Sequence, residues 1–167
     1  SKLPLSRKER VLLFIASAQL TFVIWAAGLT HVWSQLTFLG LSIVGFVWAL
    51  YPQQVDLRFQ DPALTTKACR NRLFRWPVFW TGLLFLLYIL IQALNPAYGY
   101  TESPEEWRAF PIDHITWLPD SVASPFAQLN AWRVLLAMGG AWLLACYLFT
   151  GLRRRRAWTV LLWVLFA

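Results

Sequence analysis

Long uncharged runs alternate along the chain with short charged stretches, and that alternation predicts the fold. Val11 to Val55 is uncharged over 45 residues. As a single helix it would be roughly twice as long as a ~30 Å hydrocarbon layer requires. The run therefore predicts two helices, at 11–30 and 36–51. The break is expected at the polar patch Thr30, His31, Ser34 and Gln35, with Trp33 beside it as an interfacial aromatic. Pro52 and the polar residues after it end the second helix. Gln53 to Arg75 reads as a polar loop with room for a short surface helix. A third span follows over 76–94 and stops at Asn95-Pro96.

Residues 95–130 form an external loop, the longest connection. Within it Ser103-Pro104-Glu105-Glu106 has the composition of a helix start, with Ser at the N-cap, Pro at N1 and Glu at N3. A short helix ending at Pro111 is expected there. A fourth span is placed at 131–152, its first turns emerging from the hydrocarbon after Ser124-Pro125. Beyond Arg153 to Arg156 the chain turns apolar again over 157–167, shorter than the roughly 20 residues needed to cross. The expected class is all-α, a polytopic transmembrane bundle of four full spans and the start of a fifth, forming one domain.

Composition supports lipid as the solvent. Apolar residues make up 58% and charged residues 14%, against roughly 45–50% and 25% in soluble domains. The uncharged stretch after the N-terminal cations is too long for a cleaved signal peptide and reads as an anchor. The net charge of +7 reports topology, not a nucleic-acid partner, because 13 of the 15 Lys and Arg fall in segments 1–10, 52–75 and 153–156. Segment 95–133 holds Arg108 and Arg133 but also five carboxylates. Positive residues accumulate in cytoplasmic loops. The N-terminus is therefore expected in the cytoplasm of a bacterial inner membrane, with 95–130 outside.

Few residues invite chemistry. Cys69 and Cys146 are too few and too differently placed for a disulfide framework. No metal site and no cofactor motif is present, and His31 reads as an interfacial histidine before it reads as a ligand. The four arginines 153–156 read as a topological stop, and the eleven tryptophans as belt and packing residues. His114 follows Asp113, a carboxylate able to tune it as an acid-base group. Arg133 lies in the first turns of the fourth span, where it either snorkels or, together with Arg108, presents a planar fork of donors to a lipid-linked phosphate.

The runs Ile91-Gln92-Ala93-Leu94-Asn95-Pro96, Trp117-Leu118-Pro119-Asp120-Ser121, Pro125-Phe126 and Leu129-Asn130-Ala131-Trp132-Arg133 resemble the N-terminal half of bacterial O-antigen ligase-like and polymerase-like membrane proteins. The resemblance covers about residues 70–167. It implies a polytopic enzyme of polysaccharide biosynthesis that transfers glycan from a polyprenyl-pyrophosphate carrier. The family's catalytic Arg and His residues lie mostly in a large external loop beyond this half, so no active-site residue is carried over. The competing reading is a small non-catalytic subunit packed among other subunits of a photosynthetic or respiratory membrane complex. Membrane lipids are partners in either case.

Overall fold

A computed structural model describes residues 7–26, 29–51, 66–102, 107–121, 127–152 and 155–166. The chain forms α1 (Arg7–Trp25), α2 (Val32–Leu50), α3 (Thr66–Arg75), α4 (Pro77–Leu94), β1 (Tyr98–Glu102), β2 (Trp107–Pro111), α5 (Ala127–Gly151) and α6 (Arg155–Phe166). The described residues make a helical bundle with one antiparallel strand pair. Among the described residues three helices are long and apolar enough to cross a membrane: Val32–Leu50, Pro77–Leu94 and Asn130–Gly151. Their outward faces carry large apolar side chains, among them Ile43, Val44 and Val47 on α2 and Leu84, Phe85 and Tyr88 on α4. Such a surface is at home in lipid and out of place in water.

α5 is the central helix and packs against α1, α2, α3 and α4, while α6 lies along α1. Close approach depends on small residues where large ones face them. A Cβ on Gly45 of α2 would come within 2.7 Å of the Tyr147 ring, and one on Gly82 of α4 within 2.3 Å of the Trp142 indole. In lipid, where apolar burial between helices gives little drive, such close backbone packing supplies the association energy. One core cluster joins Leu12 and Ala16 of α1, Ala49 of α2, Tyr147 of α5, Leu152, and Ala157 and Leu161 of α6. A second joins Leu73 of α3, Phe79 of α4 and Cys146 of α5.

α1 differs from the other long helices. It starts inside the Arg7–Arg10 cluster and ends at Trp25, so its uncharged part, Val11 to Trp25, rises only about 22 Å. It is held among the others by a buried polar contact. Gln19 Nε2 donates to Ser42 Oγ (2.7 Å) and to the Phe38 carbonyl (3.2 Å), and the Tyr147 hydroxyl donates to Gln19 Oε1. Three helices thus meet at one satisfied amide.

The break between α1 and α2 falls earlier than expected. The turn follows Trp25, and His31 takes the extended N-cap conformation of α2. Ser34 and Gln35 are not turn residues; they belong to the first helical turn and reach back over the loop. Gln35 Nε2 donates to the Leu29 carbonyl (2.9 Å) and Ser34 Oγ to the His31 carbonyl (2.7 Å). Leu29 sits at φ 65°, the left-handed region, where a residue with a Cβ is strained.

The third span agrees with expectation to within one residue. Trp76, extended as a residue before proline tends to be, caps α4, and Pro77 occupies the first turn. The polar connection before it carries α3, a ten-residue helix. α5 begins at Ala127, four residues ahead of the expected 131, and α6 at Arg155, two ahead of 157.

The short helix expected from Ser103 to Pro111 is not formed. Its second half is β2, paired antiparallel with β1 in the register Tyr98↔Pro111 to Glu102↔Trp107. Ser103–Glu106 lie outside the described residues. The helix-start composition is a local signal. Residues on either side of it are aromatic or β-branched, among them Tyr98, Tyr100, Thr101, Trp107 and Phe110, and favour a pleated pair.

Candidate functional site

Polar side chains converge at the end of the bundle where α4 stops and α5 starts. The hub is Asn95, 8% exposed at the C-cap of α4. Its Nδ2 donates to the carbonyls of Ile115 (3.0 Å) and Pro119 (3.3 Å) and, at longer range, Leu118 (3.5 Å). Its Oδ1 accepts from the Ile115 amide at 2.9 Å. One helical turn earlier, Gln92 Nε2 donates to the Asp120 carbonyl at 3.3 Å. Pro96 forms a parallel bridge with Ser121, and the Ile112 amide donates to the Ala97 carbonyl. Residues 112–121 have no helix or strand of their own to satisfy their backbone. Asn95 and Gln92 meet the carbonyls of Ile115, Leu118, Pro119 and Asp120 and the Ile115 amide.

His114 is held within this ledge. Its Nδ1 lies 3.0 Å from the Ile112 carbonyl, and its Nε2 lies 3.6 Å from Asp120 Oδ2. The sequence pointed to Asp113 as its carboxylate; the structure supplies Asp120, six residues on, while Asp113 is exposed. At 3.6 Å the pair is close enough for charge attraction but long for a hydrogen bond.

Arg133 stands on α5 beside the turn between α1 and α2, where its Nη2 donates to the Thr30 carbonyl. Three successive carbonyls of that turn, at Leu29, Thr30 and His31, are therefore met by Gln35, Arg133 and Ser34. Arg133 Nε and Gln35 Oε1 are buried without a hydrogen-bond partner. Through this bond Arg133 ties α5 to the turn. Arg108 lies on β2 opposite Thr101, and its side chain falls outside the described set. No hydrogen bond joins Arg133 to His114 among the described residues.

No family model, curated protein or solved structure matches this chain. Its chemistry is therefore read from its own geometry. Among the described residues no group of three His, Cys, Asp or Glu side chains converges as a metal site would require. Sequence reasoning singled out His114 and Arg133 but overlooked Asn95, Gln92 and Gln19. Gln19 could have been found as an amide between apolar residues on both sides. Asn95 read only as a helix stop, because its partners lie 20 to 24 residues away.

Proposed function

We propose that this chain is the membrane-inserted N-terminal portion of a bacterial inner-membrane glycan ligase or polymerase, acting at the outer face on a glycan carried by a polyprenyl pyrophosphate. The observation that supports this reading is the ledge. Ile91–Pro96 and Trp117–Ser121, two of the stretches on which the resemblance rests, lie against each other through Gln92, Asn95 and the Pro96–Ser121 bridge. An ordered polar ledge at the mouth of three apolar helices suits an enzyme whose substrate has a lipid tail and a water-soluble head.

In this reading the chain crosses four times and starts a fifth crossing with α6. α1 is the additional span. Its support is Gln19, bonded to Ser42 at the middle of α2 and to Tyr147 in the last turns of α5. The cation-rich end, with the N-terminus, faces the cytoplasm. Arg133 and Arg108 would approach the carrier's phosphates, stabilising the departing pyrophosphate. His114, oriented by Asp120, would accept a proton from the acceptor hydroxyl. A guanidinium has five N–H donors, so the bond to Thr30 leaves Arg133 others to offer.

The engagement of Arg133 in helix packing favours a second reading, a non-catalytic subunit of a larger membrane complex. Two measurements separate them. Single cysteines at Trp117 and Lys67 fix the sidedness, with low background because native Cys69 and Cys146 are buried. Trp117→Cys should react from outside and Lys67→Cys only after the inner face is opened. The full-length protein in liposomes is then supplied with a polyprenyl-pyrophosphate-linked oligosaccharide and a glycolipid acceptor. Transfer by the parent, reduced at unchanged abundance in Arg133→Lys, which keeps charge and loses the fork, is the expected result. Absence of transfer, with co-purification in a fixed-stoichiometry complex, would replace the transferase with the subunit.

A further inference from the structure

The opposite end of the bundle carries an unassigned groove. α3 turns Cys69 and Leu73 inward and leaves Lys67, Arg70, Asn71, Phe74 and Arg75 exposed. Between α3 and the last turns of α5 lies a cavity of about 340 Å³ lined by Ala68, Asn71, Arg72, Arg75, Trp76 and Phe149. Its arginines are arranged, not merely present. The Arg72 guanidinium carbon is 4.4 Å from the centre of the Phe149 ring, and that ring stacks on Trp76 with centroids 4.1 Å apart and planes 10° from parallel. Cation–π attraction and stacking hold the guanidinium at a set place, one helical turn from Arg75.

The depth of the groove indicates what would fill it. The apolar span of α4 begins at Pro77, immediately after Trp76. Phe74 is exposed on α3, and the Trp80 indole donates to its carbonyl at 2.9 Å, the arrangement of an amphipathic helix lying at the boundary of lipid and water. Lipid phosphates lie at that boundary. We propose that the α3–α5 groove binds the phosphate of an anionic phospholipid headgroup, with Arg72 and Arg75 as its donors and Trp76 and Phe149 as its aromatic wall. The site requires only that the chain is a membrane protein and stands whether or not it is part of a transferase.

Native mass spectrometry of the full chain in mild detergent tests it, with phosphatidylglycerol, phosphatidylcholine and soluble glycerol phosphate added in turn. The parent should retain one phosphatidylglycerol in preference to phosphatidylcholine and to glycerol phosphate. Each arginine near the membrane surface should contribute about fivefold, so Arg72→Gln with Arg75→Gln should lower retention by about 25-fold. Lys67→Gln with Arg70→Gln removes the same charge from the exposed face and should cost far less. Arg75→Gln alone changes an exposed side chain and keeps the test valid if the double variant misfolds. Equal losses in the two charge-matched pairs would reduce the groove to a diffuse positive surface and overturn the site. Equal retention of glycerol phosphate and phosphatidylglycerol would make it a soluble-anion site and overturn the lipid assignment.

Discussion

The two ends of the bundle solve one problem with different chemistry. At the hairpin end, chain without regular structure lies beside apolar helices, and its carbonyls are met by side chains: Asn95 and Gln92 for residues 115–120, and Gln35, Arg133 and Ser34 for the turn after α1. At the basic end the described part of the connection is itself the helix α3, which satisfies its own backbone internally. Side chains there make the Arg72–Phe149–Trp76 stack and the Leu73–Phe79–Cys146 cluster. Near lipid, where unpaired backbone groups cost several kcal/mol each, an irregular segment commits its polar side chains to itself. A helical segment keeps them for ligands.

Substitution can break this contrast at either end. The largest effect is expected for Asn95→Ala, which removes several hydrogen bonds around one buried group and should cost about 3 kcal/mol. Hydrogen exchange should speed up across 112–121 while α3 stays protected. Loss spread evenly over both ends would show that the ledge is not held separately. Leu73→Ala comes next, with a cost of about 2 kcal/mol from lost packing, and should loosen α3 without touching the ledge. If thermal unfolding of Leu73→Ala also released 112–121, the ends would be one cooperative unit.

The smallest effect concerns Lys8 in the charged first turn of α1. Burial pulls its ammonium below the ordinary 10.5, partly opposed by Cys69. The unfolded chain then binds that proton more tightly than the native one, so stability should rise with pH over the window below 10.5. Lys8→Met should remove that rise and be at least as stable as the parent near neutrality. Chemical denaturation at two alkaline pH values would check it, and an undiminished slope in the variant would assign the dependence elsewhere.

Much of the helical frame was legible because it is written in local signals. Pro77 and Asn95-Pro96 bracket α4, and uninterrupted apolar runs mark α2 and α5. The errors arose where distant partners decide. Ser34 and Gln35 look like turn residues until the carbonyls of Leu29 and His31 are seen to need donors. Ser103-Pro104-Glu105-Glu106 resembles a helix start until the strands flanking it pair. His114 was legible as a candidate, whereas its partner Asp120 was not, since no pattern brings two residues six apart together in an irregular segment. The groove escaped notice for the same reason: Phe149 lies 73 residues after Trp76.

The Gln19 contact also bears on how the protein is made. With α1 as the additional span of the proposed reading, it leaves the ribosome first, with an amide in its apolar stretch. Ser42 becomes available soon afterwards, but Tyr147 lies 128 residues downstream. Until α5 has been translated, Gln19 Oε1 lacks its native donor in an environment that penalises an unsatisfied carbonyl. On the proposed four-span reading, the final seating of α1 is therefore coupled to completion of α5, the helix that supplies the Tyr147 donor.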